Sequence, residues 1–201
     1  MKRIAAPWAL PPGEGTSAPE LIWRWRLIAY CPRMPPAIDT SGFQAVPQIA
    51  GEDGEDTGLL KQFAAEAEAY VRSFKWCPPI EQMYLAFGVG GIIGLFLVSF
   101  AGSVAGFEDR DLWVVVGDLP PAYFVIDLAL TAPAALETYC DLMEDWAEGV
   151  LSGGDVSGCF PIAVEPTEEH AHMLLSRLEY VRQKFIPIAG DAATLKSYQV
   201  N

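Results

Sequence analysis

Basic residues are scarce in this 201-residue sequence, which contains 13 Lys and Arg but 26 Asp and Glu. The shortage is greatest in the middle of the chain, where Arg110 is the only Lys or Arg between residues 76 and 176. Fifteen acidic residues lie in the same interval. The formal net charge of −13 disfavours polyanionic partners, because phosphate groups and anionic lipids are repelled. We therefore expect no nucleic acid partner and no membrane partner.

Cysteines are few and widely separated, so they form neither of the two common cysteine scaffolds. Cys31, Cys77, Cys140 and Cys159 include no CxxC pair, whereas zinc sites and small disulfide-rich domains use closely spaced cysteines. We also expect no secretory signal, because prolines interrupt the short apolar run in the N-terminal MKRIAAPWALPPG. We therefore expect free thiols, a reducing compartment and a cytoplasmic location.

The chain has only two histidines, His170 and His172, and their spacing is unlike that of a metal-binding helix. Side chains two apart on a helix point in different directions, whereas zinc helices place histidines four apart. Glu168 and His172 have the four-residue spacing and can share an ion or a hydrogen bond. With the neighbouring Glu169, however, these residues are typical of a charged first helical turn. We therefore expect no metal site.

Sequence motifs of nucleophilic catalysis and of nucleotide binding are missing as well. The chain contains no GxSxG motif and no P-loop, and Gly88-Val89-Gly90 lacks the strand-to-helix context of a dinucleotide site. Cys77 is the best candidate for an exposed thiol, but nothing identifies it as reactive, and Cys140 falls on an apolar helix face. The sequence therefore predicts no catalytic residue and no cofactor.

The most apolar stretch, residues 82–107, contains no charged residue over 26 positions and is long enough for a transmembrane helix. Six glycines argue against a helix, since each costs about 1 kcal/mol relative to alanine. The flanks are acidic or mixed rather than basic, and Val89-Gly90-Gly91 between two apolar runs is typical of a hairpin turn. We therefore interpret the stretch as β-strands and keep a membrane anchor through residues 83–107 as an alternative.

Two further short strands are predicted at residues 112–116 and 122–126, because both segments are rich in β-branched and aromatic residues. Residues 117–121, Gly-Asp-Leu-Pro-Pro, have the chemistry of a turn. We therefore predict an antiparallel meander of about four strands, which begin near Tyr84, Ile92, Leu112 and Ala122. Residues 159–164 are predicted to add a short edge strand.

Three helices are predicted around this sheet from apolar residues at helical spacing. The first runs from about residue 57 to 75, with Asp56 or Thr57 as its cap, and ends before two prolines. The second begins after Thr131 and ends near residue 153, and the third begins after Thr167 and ends before Pro187. The predicted fold class is therefore α+β, with an antiparallel sheet packed against three main helices.

The first 56 residues carry eight of the sixteen prolines, which disfavours long helices and central strands. Within them, Trp23 and Trp25 alternate with Arg24 and Arg26, as in a strand with one buried face. We interpret this part as a strand or strap packed on the protein's own core, and an arm that docks on a partner is the alternative. The predicted organisation is a proline-rich segment (1–56), an α+β domain (57–188) and a C-terminal tail (189–201).

Four segments together resemble an uncharacterised family of bacterial proteins: KWCPPIEQMYLAFGVGG, LWVVVGDLPPAYFV, ALETYCDLMEDW and PTEEHAHMLLSRLEYVR. The resemblance covers about residues 57–188 and leaves the N-terminal segment out. It implies no activity, since none is established for that family. It does imply a soluble domain, because similar sequences tolerate charges in the apolar stretch.

The clearest surface feature is a row of five acidic residues on the second predicted helix. Their spacing places them on one helical face, and that helix has no Lys or Arg of its own. The row is either a solvated face that keeps an apolar protein in solution or a docking surface for a basic protein. We take the second as the leading hypothesis and expect a non-enzymatic binding or inhibitor-like protein of the immunity type. The predicted partner-binding residues are Glu137, Asp141, Glu144, Asp145 and Glu148.

An enzyme or ligand-binding protein is the alternative, with a pocket near the turn at residues 117–121. Asp118 lies in this turn, and Trp113 and Tyr123 lie in the strands on either side. Asp127 cannot easily share a site with Asp118, because a strand of about eight residues spans roughly 25 Å. Asp118 is also a suitable cap for its own turn. The possible pocket residues are therefore Trp113, Asp118 and Tyr123.

Overall fold

The structure, a computed structural model, describes residues 38–102, 104 and 110–190. Its centre is an antiparallel sheet whose five strands follow one another in sequence order. The predicted α+β class is confirmed. The sheet has one strand more than predicted, because a two-residue strand pairs with the next strand at Tyr84 and Leu85. The strands are β1 (Gln44–Ala45), β2 (Ile80–Val89), β3 (Ile93–Phe100), β4 (Asp111–Gly117) and β5 (Ala122–Val125).

Three main helices accompany the sheet, as predicted. They are α1 (Gly54–Arg72), α2 (Ala132–Leu151) and α3 (Glu168–Tyr180). A π-helical turn (Val181–Phe185) continues α3 into the short helix α4 (Ile186–Ala189). Short 3-10 turns lie at Val46–Gln48, Ile126–Leu128 and Val156–Gly158.

The predicted helix caps are confirmed for α2 and α3. The Thr131 side chain accepts a hydrogen bond from the backbone N–H of Ala134, and the Thr167 side chain accepts one from that of His170. Pro133 lies in the first turn of α2, where a missing N–H costs nothing. Local sequence signals therefore determine where both helices begin.

α1 begins earlier than predicted, because Asp53 is its cap rather than Asp56 or Thr57. The Asp53 side chain accepts a hydrogen bond from the N–H of Asp56 at 2.8 Å. The Asp56 carboxylate accepts instead from the N–H groups of Gly90 and Glu52, at 2.9 and 3.0 Å. Gly90 belongs to the turn between β2 and β3, so Asp56 ties the first turn of α1 to the tip of that hairpin.

Glycines in the apolar stretch form the β2–β3 hairpin and let α1 approach it. Gly91 adopts a φ of 79° in the turn, a conformation that favours glycine. Gly94 lies in β3 under α1, where an added Cβ atom would come within 3.3 Å of the Cβ of Phe63. Residues 83–100 are thus two strands and their turn, as predicted, rather than the membrane helix of the alternative. No helix within the described ranges is long and apolar enough to cross a membrane.

Both faces of the sheet are buried, which accounts for the continuous apolar character of its central strands. In β3, residues 93, 95 and 97 lie in a core with α2 and α3, whereas residues 96, 98 and 100 lie in a core with α1. In β4, Trp113 and Val115 belong to the first core, and Leu112 and Val114 belong to the second. Side chains therefore alternate between two cores, as the two-residue period of a strand requires.

The part of the N-terminal segment that the structure describes packs on both cores. Ile38 and Phe43 contact the core formed with α2 and α3, and Val46 and Ile49 belong to the core formed with α1. β1 lies between these pairs and hydrogen-bonds to β2. The strand predicted around Trp23 lies outside the described residues, as do residues 191–201 of the predicted tail.

The edge strand predicted at residues 159–164 is wrong. This segment is an irregular connection that follows the 3-10 turn Val156–Gly158 and leads to α3. Pro161 has no N–H to donate to a neighbouring strand. Phe160, which is only 9% exposed, packs into the core with α2 and α3 instead.

Candidate functional site

The five acidic residues predicted to bind a partner lie on the outer side of α2, and we call them the acidic face. Four of them are exposed, and one is half-buried. The opposite side of α2 is fixed in the core by Tyr139, Met143 and Trp146, which are at most 3% exposed. The amphipathic sequence of α2 thus determines which side chains point outwards. The acidic face comprises Glu137, Asp141, Glu144, Asp145 and Glu148.

The acidic face is not unpaired, because Arg182 reaches it from the π-helical turn after α3. Its Nε lies 3.0 Å from Oε1 of Glu137, and one terminal nitrogen lies 2.7 Å from Oδ1 of Asp141. The other terminal nitrogen lies 2.7 Å from Oε2 of Glu144. One guanidinium therefore bridges three carboxylates on successive turns of α2. α2 has no Lys or Arg of its own, as its sequence shows, but Arg182 offsets part of the row from a neighbouring element.

The π-helical turn brings Arg182 to the surface beside α2. Its wide hydrogen bond runs from the N–H of Ile186 to the carbonyl oxygen of Val181, five residues earlier. Pro187 has no N–H, so the next regular helical bond cannot form. Val181 and Phe185 are buried at the two ends of the turn, and Arg182 between them remains partly exposed. Pro187 is evident from the sequence, but the packing of this turn beside α2 is not.

The network around Arg182 orders the carboxylates more than it stabilises the fold. Partial burial lowers the pKa of Arg182, but hydrogen bonds to Glu144 and Glu137 raise it by more, so the pKa lies above its usual value. The Arg182 side chain is 27% exposed, and its three partners are 35% to 65% exposed. Water screens pairs this exposed, so each contributes about 0.2–1 kcal/mol. The three carboxylates are nevertheless held in one arrangement.

Asp145 and Glu148, at the C-terminal end of the acidic face, have a different environment. Among the residues that the structure describes, neither forms an ion pair with Lys or Arg. Partial burial raises the pKa of Asp145, and the negative charges of Asp141 and Glu144 raise it further. Repulsion among the carboxylates is therefore only partly offset by Arg182. The whole face formally carries five negative charges against one positive charge.

The three predicted pocket residues are not brought together. Trp113 is fully buried in the core with α2 and α3, where its Nε1–H donates a hydrogen bond to the carbonyl oxygen of Ala129 at 2.9 Å. Tyr123 lies on the other face of the sheet, in the core with α1. Asp118 lies in the turn, and its carboxylate is 3.5 Å from a terminal nitrogen of Arg177. Trp113 and Tyr123 therefore cannot line one pocket with Asp118.

The turn at residues 117–121 is itself occupied by structural contacts. The N–H of Asp118 donates a hydrogen bond to the carbonyl oxygen of Ile92 at 2.8 Å, and Leu119 is only 2% exposed. The carbonyl oxygens of Pro120 and Pro121 both accept hydrogen bonds from tyrosine hydroxyl groups. Three backbone polar groups of this turn are thus engaged within the fold.

An aromatic cluster surrounds Tyr123 below the end of α1. Its ring contacts Phe74 and Trp76 with centroids 5.0 and 5.1 Å apart, and Tyr70 lies at 6.2 Å. Burial raises the pKa of Tyr123 to about 12. The buried Trp76 Nε1 has no hydrogen-bond acceptor among the described residues, so Trp76 contacts Tyr123 through its ring. The cluster is a packed core rather than an open site.

Both histidines lie near the start of α3. Nδ1 of His170 lies 2.8 Å from the carbonyl oxygen of Glu165, and His172 is exposed. Within the ranges that the structure covers, no three His, Cys, Asp or Glu side chains are grouped so that they could hold a metal ion.

Two of the described cysteines, Cys77 and Cys140, are free thiols. Burial raises the pKa of Cys140 to about 12, and the neighbouring Arg182 offsets only part of this shift. Burial also raises the pKa of Cys77, which is half-buried rather than fully exposed, while Arg72 acts in the opposite direction. A raised pKa lowers the thiolate fraction at neutral pH, so neither thiol has the activation of a nucleophile.

Comparison with known proteins gave no match: no family model, no curated sequence and no solved structure is similar to this chain.

Proposed function

We propose that this chain is a non-enzymatic binding protein of the inhibitor or immunity type, which docks its acidic face on a basic protein partner in the cytoplasm. The observation that carries the proposal is the charge of the acidic face, where five carboxylates lie on one side of α2 and one guanidinium contacts three of them. A net charge of −13 extends this negative potential over the molecule and favours fast association with a cationic surface.

Contacts that hold the acidic face from two sides support a role in docking. Tyr139, Met143 and Trp146 anchor α2 from below, and Arg182 fixes three of the carboxylates from the side. Groups that are ordered before association lose less conformational entropy when a partner binds. An acidic surface that served only to keep the protein in solution would not need this ordering.

Asp145 and Glu148 are the residues that the proposal places closest to the partner's cations. Their carboxylates form no ion pair with Lys or Arg among the described residues, whereas Glu137, Asp141 and Glu144 already contact Arg182. The raised pKa of Asp145 reflects its partial burial and its like-charged neighbours. A guanidinium or ammonium group of a partner would offset this repulsion, and its attraction to the carboxylates would favour binding.

The proposal is tested by capture with matched charge reversals. The tagged full chain is incubated at low ionic strength with extract of the cells that naturally produce it, as wild type and as the double variant Asp145→Lys, Glu148→Lys. The control is Glu66→Lys, Asp127→Lys, which makes the same charge change at two exposed positions elsewhere. We expect one basic protein to be recovered with the wild type and the control but not with the acidic-face variant. Recovery of no basic protein, or equal recovery with all three, would contradict the proposal.

A further inference from the structure

We draw no further inference here: the strongest candidate, the pair of exposed carboxylates of Asp145 and Glu148 at the C-terminal end of α2, belongs to the acidic face already described and is an acidic cluster at which no second observation points to a ligand.

Discussion

Tyr70 and Tyr139 hold neighbouring carbonyl groups of one turn from opposite faces of the sheet. Tyr139 of α2 donates its hydroxyl hydrogen to the carbonyl oxygen of Pro120 at 2.9 Å, and Tyr70 of α1 donates to that of Pro121 at 3.3 Å. Proline has no N–H, so these two residues offer only acceptors to their surroundings. Both helical layers are therefore attached to the turn between β4 and β5.

The first prediction concerns this pair of hydrogen bonds. We expect Tyr139→Phe to lower the free energy of unfolding by about 1–3 kcal/mol, because it leaves the carbonyl oxygen of Pro120 without a donor in a buried site. Tyr70→Phe has a smaller effect, since its bond is longer and only partly buried. Urea denaturation measures both changes. Tyr180→Phe, at a side chain that is 51% exposed, is the control. A Tyr139→Phe variant as stable as this control would disprove the role of the bond.

The second prediction concerns Arg182 and the carboxylates of α2. We expect Arg182→Met to lower the free energy of unfolding by about 1 kcal/mol at low ionic strength, because the carboxylates then repel one another without compensation. The loss shrinks in high salt, which screens exposed charges. Arg72→Met is the matched control, because among the described residues Arg72 pairs with Glu68 alone, in an exposed helical pair. Equal losses for both variants, or a loss independent of salt, would show that the three-carboxylate network contributes no more to stability than an ordinary exposed ion pair.

The third prediction concerns the link between α1 and the β2–β3 hairpin. Asp56→Ala removes the acceptor of two backbone N–H groups, those of Gly90 and Glu52. We expect a loss of about 1–3 kcal/mol in the free energy of unfolding and faster hydrogen exchange at the Gly90 amide. Glu55→Ala, one residue earlier and exposed, serves as the control. Unchanged exchange at Gly90 in the Asp56 variant would mean that the turn does not depend on this carboxylate.

The fourth prediction concerns stability in alkaline solution. Burial raises the pKa of Cys140 from 9.0 to about 12 in the folded protein. The folded state thus keeps a proton that the unfolded chain releases, so this contribution is complete below about pH 9 and is lost as the pH rises towards 12. We expect the free energy of unfolding to decline less steeply for Cys140→Ala than for the wild type between about pH 8 and about pH 10. An equally steep decline of the free energy of unfolding with pH in the two proteins would contradict the raised pKa of Cys140.

Most of the fold is predictable because local patterns determine it. Glycines in the apolar stretch and β-branched residues at 112–116 predict strands, and Thr131 and Thr167 mark the starts of two helices. β1 is too short to leave a pattern, since two residues cannot show a period. The predicted cap of α1, Asp56 or Thr57, is wrong because Asp56 instead accepts a hydrogen bond from Gly90, 34 residues away. Local sequence does not reveal such a contact.

The candidate site is only partly predictable, because its decisive contacts are long-range. The spacing of acidic residues places them on one side of α2, but Arg182 lies 41 residues from Asp141 and reaches it through helix packing. The predicted pocket depended on strand register. Trp113 pairs with Phe124, so these two side chains lie on the same face of the sheet. Tyr123 precedes Phe124 in β5 and therefore points to the other face. Sequence alone does not give that register across the turn.

The most direct test of the central claim is the affinity of the captured basic protein for the acidic face, measured by calorimetry at two ionic strengths. The account predicts that Asp145→Lys, Glu148→Lys weakens binding at least tenfold, which corresponds to about 1.4 kcal/mol. It also predicts that Glu66→Lys, Asp127→Lys retains nearly wild-type affinity at the higher ionic strength, and that wild-type affinity falls as salt is added. Equal affinities for the two double variants, or wild-type binding insensitive to salt, would contradict the assignment of the acidic face as the docking surface.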